Sequence, residues 1–283
     1  MIYYPMAKIN LTLAITGRRQ DGYHTLDTVF QPVSLCDVLE AQRCADGLHF
    51  SCSVPELETE DNLVIRAFRL MQQRFGFDGG LAVRLEKHIP SQAGLGGGSG
   101  DAAMMLKAVN EQFSLGLTPE MLAELGAELG ADVPAMIYPR AVRGRGTGTK
   151  LSHFPAKGSL PLIIIKPELA LSTPVMYRRF DVEGVFSEDT AGDAMEKALC
   201  RGDGKAIAAG LKNDFETILH EPQIDAAKAA LASSGAAGTL LSGSGSAVFG
   251  IYPDPLTRDR AFAALKEGFR VFSCETVNRG DDR

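Results

Sequence analysis

A glycine-rich run between Pro90 and Ala103 constrains this chain more than any other segment. It reads Pro-Ser-Gln-Ala-Gly-Leu-Gly-Gly-Gly-Ser-Gly-Asp-Ala-Ala and leads directly into a helix-forming stretch. Glycine allows a positive φ and removes the Cβ that would keep a ligand away from the backbone. The N-terminus of a following helix directs free N–H groups and a positive dipole end toward the loop. The run is therefore typical of a phosphate-binding loop.

The composition limits the class of protein. The 283 residues are 45% hydrophobic and 23% charged, with a net charge of −6, which is typical of one large or two ordinary globular domains. Because a negative chain has no broad attraction for nucleic acid, we expect phosphate to be held by backbone N–H groups and a few cations, with no nucleic-acid partner. No apolar stretch reaches the ~18 residues of a membrane span, and the first residues lack a signal-peptide pattern. We therefore expect no membrane partner and a cytoplasmic location.

The cysteine pattern predicts neither disulfides nor a metal site. The chain has five cysteines, an odd number, and none of them forms a C-x-x-C pair. This usage is typical of a reduced, intracellular protein.

Hydrophobic periodicity predicts an α+β chain of two domains. A turn- and arginine-rich connector is expected over 143–150, and we place the domain boundary between residues 152 and 153. The predicted strands are 7–15, 23–33, 37–41, 48–54, 81–89, 160–166, 238–241, 247–252 and 270–275. The predicted helices are 62–75, the stretch after the glycine run, 118–130, 193–199, 205–219, 224–233 and 257–267.

Three kinds of phosphate loop are compatible with a glycine run of this type. A Walker A loop needs Gly-Lys-Ser/Thr, and the run has no lysine. Residues 98–103 fit the dinucleotide pattern G-x-G-x-x-A, but a second helix follows where that fold needs a strand. The third pattern, Pro-x-x-x-Gly-Leu-Gly-x-x-Ser, is present, and in it the chain resembles the second motif of the GHMP small-molecule kinases.

This resemblance implies that the loop wraps the triphosphate of ATP and that the Ser99 hydroxyl contacts phosphate or Mg²⁺. The family commonly has a second serine after the three glycines, whereas this chain has Gly100, so one hydroxyl is absent there. The implied ATP-binding residues of the loop are Pro90, Gly94, Leu95, Gly96, Gly97, Gly98, Ser99 and Gly100.

Two further segments resemble GHMP motifs that carry the reaction. On residue type alone, Lys8 would be a solvated strand residue and Asp132 a helix-terminal residue. The settings Pro-Met-Ala-Lys-Ile-Asn-Leu and Gly-Ala-Asp-Val-Pro resemble the family's reacting segments, which implies that Asp132 accepts or orients a hydroxyl proton. Lys8 would then keep that carboxylate ionised and offset charge on the transferring phosphoryl group. Asn10, in the same motif as Lys8, is expected to line the substrate site.

Other segments indicate the substrate. Asp-Gly-Tyr-His at 21–24 resembles a branch of the family whose substrate carries cytidine diphosphate, with Tyr23 stacking on the cytosine ring and His24 hydrogen-bonding its edge. The segment at 172–177 resembles the opposite wall of that slot. Its implied contributors are Thr173, Pro174 and Tyr177.

The Ser/Gly-rich loop at 242–246 resembles the third family motif, which lies beside the phosphate loop. Its implied substrate-binding residues are Gly243 and Ser244. Asn62, Leu63 and Lys87 fall where the family lines its adenine pocket, although these residue types suit helix capping and surface positions equally well.

The resemblance implies a two-domain GHMP fold and a kinase. Residues 1–152 would form the nucleotide-binding domain, and residues 153–283 a domain of helices over an antiparallel sheet that contributes to the substrate site. The implied reaction is ATP- and Mg²⁺-dependent phosphorylation of the 2-hydroxyl of a small cytidyl diphosphate substrate in isoprenoid precursor synthesis, by a monomer or weak homodimer. Three alternatives stay open: a GHMP kinase for a mevalonate- or homoserine-like alcohol, a nicotinamide-dependent oxidoreductase, and a catalytically silent ATP-binding protein.

Overall fold

The fold is given by a computed structural model that describes residues 1–188 and 191–279. The strands are β1 (Ile2–Tyr3), β2 (Met6–Arg18), β3 (His24–Cys36), β4 (Val38–Cys44), β5 (Leu48–Cys52), β6 (Gly80–Glu86), β7 (Val142–Gly146), β8 (Lys150–His153), β9 (Pro161–Ile165), β10 (Lys212–Asn213), β11 (Gly238–Leu241), β12 (Val248–Ile251) and β13 (Val271–Glu275). The α-helices are α1 (Leu63–Phe75), α2 (Gly97–Gln112), α3 (Pro119–Leu129), α4 (Val133–Met136), α5 (Thr173–Glu183), α6 (Gly192–Arg201), α7 (Gly204–Ala209), α8 (Pro222–Ser233) and α9 (Pro255–Leu265). Most of the predicted elements are present within a few residues of their expected bounds.

The chain forms two compact units, each built from separated segments. Unit 1 contains Met1–Ala7, Cys36–Ile89 and Gly96–Tyr138, and unit 2 contains Lys8–Leu35, Pro90–Leu95 and Pro139–Arg283. The glycine-rich run is thus divided between the two units. The boundary at 152/153 stays a prediction, because these units divide the chain at other positions.

Unit 1 packs helices on one face of a four-stranded sheet with the strand order β1-β4-β6-β5. In β4 the buried Leu39 and Ala41 alternate with the exposed Glu40 and Gln42, as expected for a sheet with one solvated face. Asn62 caps α1 by accepting a hydrogen bond from the backbone of Val64, which confirms the predicted helix start.

Unit 2 contains two sheets. The first has the order β10-β2-β3-β7-β8, and the second is antiparallel with the order β11-β12-β9-β13. Helices α8 and α9 pack on the second sheet and bury side chains such as Ile224, Leu231 and Leu265. The predicted layer of helices over an antiparallel sheet is confirmed.

The predicted connector at 143–150 is wrong, because this segment forms most of the β7–β8 hairpin. Gly146 and Gly148 have φ values of +68° and +95° and make the turn. Arg143 is buried in β7, where it donates two 2.7 Å hydrogen bonds to the Asp27 carboxylate. A charged residue can therefore occupy this strand because its charge is paired.

The predicted helix over 205–219 is also wrong beyond α7. The chain turns at Gly210, adds the short strand β10 in parallel to β2, and continues into the 3₁₀ helix Asp214–Thr217. Two side chains fix this path: Asn213 accepts a hydrogen bond from Phe215 N, and Asp214 accepts one from Ile15 N. No helix in the described ranges is long and apolar enough to cross a membrane.

Candidate active site

The first part of the glycine run, Pro90–Leu95, lies against the Ser/Gly-rich loop between β11 and β12. Ser242 Oγ donates a 2.9 Å hydrogen bond to Gly94 O, and Ala247 N donates one of 3.1 Å to Ala93 O. Gly94 has φ +72°, and a Cβ on it would lie only 2.0 Å from Ser242 O. Only glycine permits this approach. The expectation that the two loops lie side by side is confirmed.

The second part of the run forms the start of α2. Gly96, with φ +67°, is the N-cap of this 16-residue helix, and no side chain of the described residues caps it by a hydrogen bond. Its first N–H groups and the positive end of its dipole are therefore suited to an anion. Residues 98–103 all lie inside α2, whereas a dinucleotide fingerprint needs its first glycines in the turn before the helix. The dinucleotide interpretation is wrong.

Gly100 has a packing role of its own. It is buried in the first turns of α2, and a Cβ there would lie 2.6 Å from Met6 O and 3.3 Å from Met136 Cε. A serine in this backbone would therefore need Met6 to move. Gly100, which stands where the family commonly has its second serine, thus allows α2 to pack closely against the start of β2.

Lys8 is buried in β2 of unit 2, with 3% of its surface exposed. Its Nζ donates a 2.7 Å hydrogen bond to Asn10 Oδ1, and Asn10 Nδ2 donates one of 2.8 Å to Thr28 Oγ1. A Cβ on Gly243 would lie 3.2 Å from this Nζ, so the ammonium is beside the Ser/Gly-rich loop. The reading of Lys8 as a solvated strand residue is wrong, because β2 is covered on both faces. A buried, hydrogen-bonded ammonium suits an electrostatic role.

Asp132 lies in unit 1, half-buried at the N-cap of the four-residue helix α4. The backbone N–H of Met136 donates to its carbonyl at 3.3 Å. Gly126 of α3 allows this turn to pack closely against it, because a Cβ on Gly126 would lie 2.8 Å from a methyl group of Val133. The predicted helix-terminal placement of Asp132 is confirmed.

Helix α5 carries the predicted residues Thr173, Pro174 and Tyr177, all in unit 2. Thr173 Oγ1 and Ser244 Oγ are hydrogen-bonded at 2.8 Å, which joins the start of α5 to the Ser/Gly-rich loop. The Tyr177 ring stacks on His24 with 4.6 Å between ring centroids and 19° between planes. Tyr23 is 67% exposed. The cytosine sandwich between Tyr23 and Tyr177 stays a prediction.

His24 is buried at the start of β3. Its Nε2 lies 2.7 Å from an oxygen of Asp181, four residues after Tyr177 on α5. Sequence reasoning did not single out Asp181. The i, i+4 spacing of an aromatic and an acid on one helix could have indicated it.

The predicted adenine-pocket residues lie in unit 1 and have structural partners. Asn62 Nδ2 donates to Leu57 O at 2.8 Å while its oxygen caps α1, which Leu63 begins. The side chain of Lys87 is buried, not at the surface, with its ammonium hydrogen-bonded to Asp37 and, at 2.5 Å, to Asp101. Their role toward adenine stays a prediction.

Asp101 is the unusual member of this buried cluster. Burial and the neighbouring Asp37 carboxylate raise the pKa of Asp101 to about 7, against the lowering effect of Lys87. Asp37 accepts hydrogen bonds from the backbone of His88 and Ile89 as well as from Lys87, whereas one oxygen of Asp101 has no partner among the described residues.

Comparisons with known proteins identify the family of this chain. Residues 62–140 match the model of the GHMP kinases N terminal domain, and residues 195–271 match that of the GHMP kinases C terminal. The 4-diphosphocytidyl-2-C-methyl-D-erythritol kinase of Moorella thermoacetica is 42% identical over 268 residues, which cover 93% of each chain. That of Desulfitobacterium hafniense is 38% identical and covers 98% of this chain and 96% of its own. The chain belongs to the GHMP kinase family.

A solved structure of a 4-(cytidine 5'-diphospho)-2C-methyl-D-erythritol kinase has the same fold as this chain, with a TM-score of 0.86. It is 35% identical and covers 99% of this chain and all of its own. The predicted two-domain GHMP fold, mixed α+β, is therefore confirmed.

One residue that supports the Ser/Gly-rich loop was missed because it lies within the wrongly predicted helix. Asn213 Nδ2 donates hydrogen bonds to the carbonyls of Leu241 and Gly243, at 2.9 and 2.8 Å, and so fixes the start of the Ser/Gly-rich loop. The Asn-Asp pair after Gly210 was the available signal, since both residue types hydrogen-bond nearby backbone outside helices.

Proposed function

We propose that this chain is the kinase that transfers the γ-phosphoryl group of ATP to the 2-hydroxyl of 4-diphosphocytidyl-2-C-methyl-D-erythritol. The observation that carries this proposal is the likeness of nearly the whole chain, at 38–42% identity, to kinases named for that substrate. The local geometry supports it, because the glycine-rich run offers an anion the backbone N–H groups at the start of α2, and the cytidyl motifs bring aromatic rings together in unit 2.

The glycine-rich run would hold the triphosphate. Gly94 and Gly96 have positive φ values, and the uncapped N-terminus of α2 offers backbone N–H donors, so the backbone can approach an anion without a Cβ between them. The Ser99 hydroxyl adds a polar contact for phosphate or for Mg²⁺. The Mg²⁺ ion, when bound with ATP, would neutralise charge that develops on the phosphates.

Asp132 and Lys8 would contribute electrostatics and proton handling. An alcohol is a weak nucleophile, and the Asp132 carboxylate can accept or orient its proton. The Lys8 ammonium, already desolvated and held by Asn10, can oppose negative charge on a phosphoryl group at little reorganisation cost. Because phosphoryl transfer needs little covalent chemistry, positioning by these residues would supply much of the rate.

Residues of unit 2 would bind the cytidyl group. Tyr23 offers an exposed aromatic ring and His24 a polar ring edge, and α5 contributes Thr173, Pro174 and Tyr177. Gly243 and Ser244 would contact the substrate from the Ser/Gly-rich loop. The partner is a small molecule, and we propose a cytoplasmic monomer or weak homodimer.

A coupled ADP-release assay tests this function. The wild type is offered the cytidyl substrate, mevalonate and homoserine, and we expect turnover with the cytidyl substrate alone. Asp132→Asn should lower kcat by about 10²-fold or more, since a positioned proton acceptor contributes that much. Asp225→Asn, at an exposed position of α8, should keep wild-type activity.

The outcomes separate the alternatives. Turnover of mevalonate or homoserine in place of the cytidyl substrate would assign a different GHMP kinase activity. ATP binding without any turnover would indicate a silent nucleotide-binding protein, and tight NADH binding without ATP binding would indicate an oxidoreductase. Undiminished activity of Asp132→Asn would overturn the proton role alone.

A further inference from the structure

Helix α5 presents a third side chain on the face that carries Thr173 and Tyr177. Asp181 follows at the same four-residue spacing, so all three lie along one stripe of the helix. Its Oδ1 is 2.7 Å from Nε2 of His24, and its Oδ2 is 3.4 Å from Nη1 of Arg18. Asp181 therefore contacts the last residue of β2 and the first residue of β3. These two residues flank the loop that carries Tyr23.

The Asp181 contact determines which nitrogen of His24 carries the proton. An ionised carboxylate only accepts hydrogen bonds, so Nε2 of His24 must be the donor. In the neutral imidazole this leaves Nδ1 as an acceptor. Nδ1 makes no hydrogen bond within the described residues. The Tyr177 ring covers one face of the imidazole, which restricts its rotation.

An acceptor at Nδ1 distinguishes between pyrimidine bases. Cytosine carries an amino donor at C4, whereas uracil carries a carbonyl acceptor at the same position. An amino group would satisfy Nδ1, while a carbonyl would leave two acceptors facing each other, and an unpaired polar group in a closed site costs binding free energy.

We propose that Asp181 is a positioning residue that sets base selectivity, by holding His24 in the tautomer whose Nδ1 accepts a hydrogen bond from the amino group of a cytosine-type base. This inference rests on the proposed function, because it concerns the cytidyl end of the same substrate. Asp181 acts through His24 and needs no contact with the substrate.

The test measures kcat/KM for the cytidyl substrate and for its uridyl counterpart. In Asp181→Asn the amide can donate as well as accept, so the other tautomer becomes available, and the cytidyl-to-uridyl ratio should fall by about tenfold or more. Asp181→Glu keeps a carboxylate and should retain part of the ratio. Glu183→Gln is the matched control on the same helix, since Glu183 pairs with Arg179 and should leave the ratio unchanged.

A merely structural role for Asp181 would give a different result. The ratio does not depend on how much enzyme is folded, so a loss of kcat for both substrates with an unchanged ratio would overturn the inference. We also expect the KM for ATP to stay near the wild-type value in Asp181→Asn.

A spectroscopic readout separates this inference from the proposed function. ¹⁵N NMR of histidine-labelled wild type should show His24 protonated at Nε2, with the proton distributed over both nitrogens in Asp181→Asn. A wild-type His24 protonated at Nδ1 alone would overturn the inference whatever the enzyme phosphorylates. Failure of the wild type to phosphorylate the cytidyl substrate, with the expected NMR result, would count against the proposed function only.

Discussion

Single glycines of the phosphate loop have different physical roles, although the sequence presents them as one run. A Cβ on Gly98 would meet only Leu63, at an ordinary 3.8 Å. A Cβ on Gly100 would lie 2.6 Å from the carbonyl oxygen of Met6, a backbone atom that has little freedom to move. Both residues are helical, so alanine would gain about 1 kcal/mol of intrinsic helix propensity at either position.

We therefore expect Gly98→Ala and Gly100→Ala to shift stability in opposite directions. Gly98→Ala should keep or raise the melting temperature. Gly100→Ala should lower it, because overpacking typically costs 1–3 kcal/mol and would exceed the propensity gain of about 1 kcal/mol. Thermal unfolding of the ligand-free variants measures both. Equal shifts for the two variants would show that the Met6 contact does not constrain residue 100.

At the scale of elements, periodicity predicted the strands and helices that have one clear apolar face. It was wrong at 143–150 and 205–219, where long-range side-chain bonds decide the structure. Arg143 enters a strand because Asp27, more than 100 residues away, pairs with it. The predicted helix does not continue through Asp214, because the Asp214 carboxylate accepts a hydrogen bond from the backbone N–H of Ile15. Such partners are not visible in a local window.

The candidate site was predictable where a motif lies within one segment. The glycine run and the segments around Lys8 and Asp132 were found in this way. Asp181 and Asn213 lie outside those segments, and only the folded chain brings them to His24 and Gly243. Helix α5 was itself not predicted, so the common face of Thr173, Tyr177 and Asp181 was not visible.

Asn213 provides a test of how β10 supports the Ser/Gly-rich loop. We expect Asn213→Asp to lower stability by about 2 kcal/mol or more, because it replaces a buried double donor by an acceptor facing the carbonyls of Leu241 and Gly243. Gln223→Glu makes the same amide-to-acid change at an exposed site and should leave stability within about 0.5 kcal/mol. Chemical denaturation of both variants measures the difference. A similar small effect at both sites would contradict the supporting role.

At the scale of the whole molecule, the composition of each compact unit follows from strand pairing between distant segments. Lys8–Leu35 belongs with Pro139–Arg283 because β3 pairs with β7 and β10 adds to β2. A boundary drawn along the sequence assumes contiguous domains, which these pairings do not produce. The order of the motifs along the chain therefore indicated the family, but it did not indicate which segments form each compact unit.

Global stability should carry a pH dependence that originates at one buried carboxyl group. Asp101 has a folded-state pKa of about 7, well above the value of about 4 for an unfolded aspartate. Between these values the folded state binds more protons than the unfolded state, so the free energy of unfolding falls as the pH rises from about 4 to 7.

Asp101→Asn keeps the shape of the side chain and removes its titration. Relative to this variant, the wild type should therefore lose about 2 to 3 kcal/mol between pH 5 and pH 8, measured by denaturant unfolding at several pH values. Asp101→Asn also changes the hydrogen bond to Lys87, which shifts the free energy of unfolding by the same amount at every pH. The expected sign does not depend on that shift, because only the slopes of the free energy of unfolding against pH are compared. Asp78→Asn, at an exposed position of the same unit, should follow the wild-type slope. Parallel pH profiles for wild type and Asp101→Asn would mean that Asp101 is ionised in the folded protein throughout this range.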